Sequence, residues 1–187
     1  MWKSLARFIF WIGGWKIVGD MPKNLKRAVM IAAPHTSNWD FIYARAAFFL
    51  MDVPVRFTIK KEWVDSPLGG LMKSLGAIAI DRSPKNKGEQ KKSMVDAMAD
   101  LFDENEELVI LITPEGTRGY VEKWRSGFYH IAQKANVPIL MGYLDFKKKE
   151  AGIGGEIIPS GNYDQDLEKI MGFYKNITAK HPHKGVK

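Results

Sequence analysis

Short apolar runs, each stopped by proline, glycine or charge, alternate along this chain with longer segments that are apolar on one helical face. That alternation restricts the fold more than any other feature. Runs at 27–33, 53–60, 77–80, 108–112 and 137–144 read as strands. The run at 108–112 is apolar throughout, as a strand covered on both faces requires. Between them, 40–51 carries Phe41, Ala44 and Phe48 at helical spacing and reads as a buried helix, with Thr36 or Ser37 as its cap. Residues 67–75 read as a short helix ended by Gly76, and 83–90 as a polar loop. Residues 89–105 align Met94, Met98, Leu101 and Phe102 on one face, and 126–135 are helical. After Lys147-Lys148-Lys149 come a glycine-rich turn, a strand at 156–158, a helix at 165–179 and a frayed tail from His181. The expected fold is a single α/β layered domain with a largely parallel central sheet flanked by helices.

Residues 1–20 set themselves apart from the domain at 21–187. Three tryptophans fall in the first 15 residues, Phe8, Trp11, Ile12 and Trp15 share a helical face, and Lys3, Arg7 and Lys16 add positive charge. An amphipathic helix lying in the membrane interface has this composition; docking on the domain core is the alternative. No stretch approaches the roughly 20 apolar residues that cross a bilayer. The segment has the charge and the short apolar run of a leader, but its tryptophans are bulky and no small-residue cleavage site follows, so it reads as retained.

The chain contains 28 Lys and Arg against 21 Asp and Glu, a net charge of +7, which draws it to polyanions such as nucleic acid, anionic membrane or a phosphorylated substrate. No nucleic-acid-binding motif accompanies that charge, and nucleic acid is not an expected partner. The absence of cysteine removes disulfides, thiolate zinc sites and cysteine nucleophiles, and fits a reducing compartment. The sequence has no G-x-S-x-G elbow, H-E-x-x-H helix, P-loop or dinucleotide fingerprint. With four histidines, two of them in the tail, a catalytic metal is not expected.

Three polar segments follow apolar strands at the C-terminal edge of the sheet, where α/β proteins place ligands. The first is Ala33-Pro34-His35-Thr36-Ser37-Asn38-Trp39-Asp40. In a tight turn the Asp40 carboxylate reaches an imidazole N–H of His35, fixes its tautomer and leaves the other nitrogen as a base. The plainer reading makes them a turn residue and a helix-start charge. The second is Thr113-Pro114-Glu115-Gly116-Thr117-Arg118-Gly119, where Arg118 can hold a phosphate through paired hydrogen bonds and Thr117 can add a hydroxyl; a solvated polar turn is the alternative. The third is Ile80-Asp81-Arg82, which delivers another arginine, or else a surface ion pair. A phosphate site beside a general base accounts for all three. His130 reads as structural, and the Met94/Met98 stripe as helix core ahead of a pocket lining.

In this order the segments resemble the glycerolipid acyltransferase family that includes lysophosphatidic acid (1-acylglycerol-3-phosphate) acyltransferase. Its signature is H-x-x-x-x-D, a strand ending I-D-R, then E-G-T-R, then a V-P-[IV] strand. Here these are His35…Asp40, Ile80-Asp81-Arg82, Glu115-Gly116-Thr117-Arg118 and Val137-Pro138-Ile139, and Lys60 and Lys61 fall in a further similar segment. The chain departs from the family's F-K-x-G, with Trp124-Arg125-Ser126-Gly127 in its place. The resemblance implies direct transfer of a fatty acyl chain from acyl-CoA or acyl carrier protein to a lysophospholipid hydroxyl in phospholipid biosynthesis. His35 is then the base and Asp40 its orienting partner, with Arg82, Glu115, Gly116, Thr117 and Arg118 on the acceptor phosphate. No cofactor is implied beyond the donor thioester. The implied partners are a lysophospholipid, the membrane surface and, as one donor, acyl carrier protein; the implied location is peripheral, on the cytoplasmic face of the cell membrane. A lyso-aminolipid or glycerol-3-phosphate as acceptor fits the same motifs, and a non-catalytic basic membrane-binding module is the competing class.

Overall fold

The computed structural model describes residues 2–59, 65–79 and 92–187. Lys60, Lys61, Arg82 and the expected 83–90 loop lie outside the described residues. The elements run α1 (Trp2–Gly13), β1 (Lys16–Ile17), β2 (Arg27–Ala32), α2 (Trp39–Leu50), β3 (Val55–Ile59), α3 (Gly69–Ser74), β4 (Ala77–Ala79), α4 (Met94–Glu104), β5 (Leu108–Ile112), α5 (Gly127–Lys134), β6 (Ile139–Asp145), β7 (Glu150–Ile157) and α6 (Tyr163–Tyr174), then a 3-10 turn at Pro182–Lys184.

Among the described residues the strands form one seven-stranded sheet in the order β1-β7-β6-β2-β5-β3-β4. From β6 to β4 every pair is parallel, while β7 runs antiparallel to β6 and carries β1 parallel to itself. β2 lies in the middle, and its side chains alternate between the two faces as the period of two demands. Val29 and Ile31 enter a core with Phe102 of α4, Phe128 of α5 and Tyr174 of α6. Ala28 and Met30 face the other way, against Phe48 of α2. α1 rests on α2 through a third cluster that holds Ala6, Phe10, Ala46 and Ala47. The buried Tyr174 hydroxyl spans β2 and β6, 3.2 Å from Ile31 O and 3.0 Å from Gly142 O.

Helix starts follow local chemistry. Ser93 Oγ accepts from Asp96 N–H at α4, and Asn162 Oδ1 from Gln165 N–H at α6. At α2 neither Thr36 nor Ser37 is the cap: Asn38 holds that position and makes no side-chain cap bond.

The fold is the expected one, with differences at particular elements. The expected strand at 156–158 is the end of a longer one, Glu150–Ile157, which takes in the glycine-rich segment. The last helix stops at Tyr174, short of residue 179. The tail is docked, not frayed: His181 N–H donates to Thr36 Oγ1 at 3.2 Å, and Lys187 Nζ sits 4.4 Å over the Tyr120 ring. Trp15 does not share the outer face of α1. Gly14 has φ +67° and the helix ends at Gly13, so Trp15 turns inward onto Tyr43 and Phe146. Phe8, Trp11 and Ile12 stay exposed. Among the described residues no helix is long and apolar enough to cross a membrane.

Candidate functional site

β2 and β5 are neighbours, so the segments that leave their C-terminal ends are brought side by side. His35 Nδ1 lies 3.0 Å from Asp40 Oδ2. The same oxygen accepts from Thr36 N–H at 2.7 Å and Ser37 N–H at 2.8 Å. The carboxylate therefore folds the loop around itself, and with three donors on one oxygen it is fixed in place. An ionised Asp accepts only, so Nδ1 carries the ring proton and Nε2 keeps its lone pair. The Asp40 side chain is 9% exposed and the His35 side chain 26%, which leaves the imidazole open to a ligand and its partner closed to water.

From β5 comes the second segment. Glu115 turns inward: Oε1 accepts from His35 N–H at 3.1 Å, and the carboxylate is buried. Burial pushes its pKa up, against the lowering effect of the backbone donors, and Oε2 has no partner among the described residues. Gly116, Thr117 and Arg118 turn outward and are exposed. Gly116 has φ +65°, and a Cβ there would lie 2.8 Å from the Arg125 guanidinium carbon. The backbone angle favours glycine, and a side chain there would have to displace the Arg125 guanidinium. Arg125 N–H closes the loop on Pro114 O at 3.0 Å. Arg118 Nη1 donates to Asn38 Oδ1, tying the second loop to the first.

One cavity of about 720 Å³ joins these groups. His35, Asn38, Asp40, Gly116, Arg118 and Arg125 line it at the sheet edge. It continues under α2 past Ala44, Phe48, Met51 and Phe57, and on the α4 side past Met94 and Met98. A basic edge on an apolar cavity matches an amphipathic ligand with an anionic end.

The family model for acyltransferases matches residues 16–141, most of the chain and all of the described site. The chain belongs to the acyltransferase family. Among solved structures it is similar to the 1-acyl-sn-glycerophosphate (LPA) acyltransferase PlsC from Thermotoga maritima, with a TM-score of 0.59 and 15% identity over 96% of this chain and 80% of that one. That likeness is one of fold: a single α/β domain on a mostly parallel sheet. No curated protein matches the sequence.

In this acyltransferase the structure brings His35, Asp40 and Glu115 into hydrogen-bond contact and ties Arg118 to Asn38, with Gly116 and Thr117 in the exposed turn between; Glu115, expected on the acceptor phosphate, instead turns inward onto the His35 backbone, and Arg82 lies outside the described residues. Asn38, Arg125 and the cavity wall at Arg45, Met94 and Met98 were not singled out from sequence as site residues. For Arg125 a signal existed, since it occupies the place of the lysine in the family's F-K-x-G segment. His130 is exposed on α5 and is not among the residues that line the cavity.

Proposed function

We propose that the protein moves a fatty acyl chain from a thioester, acyl-CoA or acyl carrier protein, to the hydroxyl of a phosphate-bearing lysolipid such as lysophosphatidic acid. The observation that carries this reading is the His35–Asp40 pair opening into the same cavity as Arg118 and Arg125. His35 Nε2 takes the proton of the acceptor hydroxyl as its oxygen attacks the thioester carbonyl. The C–S bond breaks, the imidazolium returns the proton to the departing thiolate, and an ester and a free thiol remain. Asp40 holds the imidazole in the tautomer this needs and stabilises its charge. A base so placed contributes on the order of 10²–10⁴ in rate.

Arg118, Arg125 and the Gly116-Thr117 turn hold the acceptor phosphate, a planar fork being the better match to phosphate oxygens; the resemblance adds Arg82. Glu115 serves the same site from behind, by fixing the His35 backbone. The apolar cavity under α2 takes the acyl chain. The exposed apolar face of α1 supports work at a membrane surface; the resemblance adds the cytoplasmic side.

Purified protein given lysophosphatidic acid and either donor yields phosphatidic acid, and His35→Ala lowers turnover by at least a hundredfold. Transfer that survives this substitution overturns the mechanism. A lyso-acceptor screen read by lipid mass spectrometry, including a lyso-aminolipid and glycerol-3-phosphate, identifies the acceptor.

A further inference from the structure

The cavity is not confined to one side of the sheet. β3 and β5 are neighbours, with Phe57 opposite Leu111. Successive side chains of a strand point to opposite faces. Yet Phe57 and Thr58 both line the cavity, as do Leu111 and Ile112. The cavity therefore passes around the C-terminal ends of these two strands and has a limb on each face. One limb runs under α2, where Ala44, Phe48, Met51, Val55 and Leu111 belong to the apolar cluster of that face. The other runs along α4 and α5, where Val95, Met98, Ile112, Phe128 and Ile131 belong to the opposite cluster. The edge between them carries His35, Arg118 and Arg125. On the α2 face the lining continues along the chain from Asp40 to Phe41 and Ala44, beside the base. On the other face it continues from Arg125 to Gly127 and Phe128, beside the cationic edge.

We propose that the limb along α4 and α5 holds the hydrocarbon chain that the acceptor already carries, while the limb under α2 holds the chain being transferred. The inference rests on the acyltransfer reading of this cavity. Transfer without an acyl-enzyme needs donor and acceptor present together. Two hydrocarbon chains then leave the point beside His35 at once, and a limb on each face keeps them apart. A phosphate held by Arg118 and Arg125 places the acceptor's short glycerol at the mouth of the second limb. The carrier arm of the donor is a poorer occupant there. Its amides need hydrogen-bond partners when they leave water, and the side chains that α4 and α5 turn to the cavity are all apolar. Met94 and Met98 lie one turn apart on α4, Met94 exposed and Met98 buried. Their unbranched thioethers fit an irregular, flexible ligand. Met98 is thus a specificity residue for the acceptor.

The test is photolabelling of the full chain with two probes, each bearing a diazirine near the end of its hydrocarbon chain. One is a lysophosphatidic acid. The other is an acyl thioether of pantetheine, the arm that coenzyme A and acyl carrier protein share. Labelled peptides are located by mass spectrometry. The lysolipid labels α4 or α5, and the thioether labels α2. A lysolipid that labels α2 overturns the proposal, as does one that labels no part of the protein because its chain stays in the lipid. Substitution gives a second readout. Met98→Phe fills the second limb and lowers the kcat/KM preference for octadecanoyl over decanoyl lysophosphatidic acid by about tenfold, with the ranking of donor chains as in the parent. Ala44→Leu, in the first limb, shifts the donor ranking and not the acceptor ranking. If both substitutions shift the same ranking, the limbs are not divided between the substrates and the proposal falls. Photolabelling uses the parent chain and decides the matter even where Met98→Phe does not fold. Failure of the acyltransfer reading has a separate sign: the parent forms no ester from any pair of donor and acceptor, wherever the probes attach.

Discussion

Asp40 Oδ2 receives three hydrogen bonds, from His35 Nδ1 and from the Thr36 and Ser37 amides, and this one atom sets both the loop and the imidazole. Asp40→Asn tests the charge behind both roles. An amide oxygen in the place of Oδ2 still accepts from all three donors, but it leaves the imidazolium formed during the reaction without a carboxylate to stabilise it. We expect kcat to fall by about 10²–10⁴ with the acceptor KM little changed, read by steady-state kinetics beside a thermal melt that shows the fold retained. Glu115 gives the other residue-scale prediction. Its pKa is raised above 4.5 by burial, so the folded state holds the proton more tightly than the unfolded state. Its contribution to stability is complete below the unfolded value and is lost as pH rises through the folded one. Glu115→Gln keeps an oxygen for the His35 N–H and cannot ionise. The melting temperature of the variant relative to the parent therefore rises with pH across and above the carboxylate range; a difference that stays flat removes Glu115 from this role.

At the scale of elements, what spacing made legible was local. The apolar strands β2 and β5 were legible, and the polar segments at their ends stood out, because period, stop signal and motif lie within a few residues of one another. β7 was under-read because Gly152, Gly154 and Gly155 weaken the strand signal. Their reason lies elsewhere in the chain: a Cβ at Gly152 would stand 1.9 Å from Val18 O, and one at Gly154 2.0 Å from the Phe173 ring. Trp15 and the tail were misread for a like reason, since a glycine turn and contacts to Thr36 and Tyr120 decide them. In the site, the His35–Asp40 pair was legible through the segments that follow it, at 80–82 and 115–118, more than through its own spacing. The close approach of Gly116 to Arg125 was not legible, because folding alone creates it. Gly152→Ala pushes the end of β1 off the sheet and lowers stability by about 1–3 kcal/mol or more. Gly172→Ala, in α6 with nothing within 4 Å of its new Cβ, raises stability by up to about 1 kcal/mol. Chemical denaturation of the two variants beside the parent checks both signs.

At the scale of the whole molecule, α1 and α2, packed on each other, expose apolar side chains that the core does not use. On α1, Trp11 is 77% exposed, Ile12 69% and Phe8 54%, while Ala6 and Phe10 of the same helix are buried against α2. Trp39, Phe41 and Ile42 of α2 are exposed beside the loop that carries His35. A soluble surface gains nothing from this arrangement, whereas a lipid surface accepts the apolar side chains, and the net charge of +7 favours one that is anionic. The proposed route for a lysolipid then runs from the bilayer directly to the mouth of the cavity. A large apolar side chain is worth about 1.5–3 kcal/mol when fully removed from water, and interfacial burial recovers part of that. Phe8→Ser with Trp11→Ser should weaken binding to anionic phospholipid vesicles by at least about tenfold. The thermal melt should hold, because neither side chain packs in the core. Flotation of the protein with anionic vesicles, compared with zwitterionic ones and repeated at raised salt, measures the apolar and charged parts separately. Equal flotation of the parent and the double variant would mean that this face meets something other than lipid, and that the acceptor reaches His35 from solution.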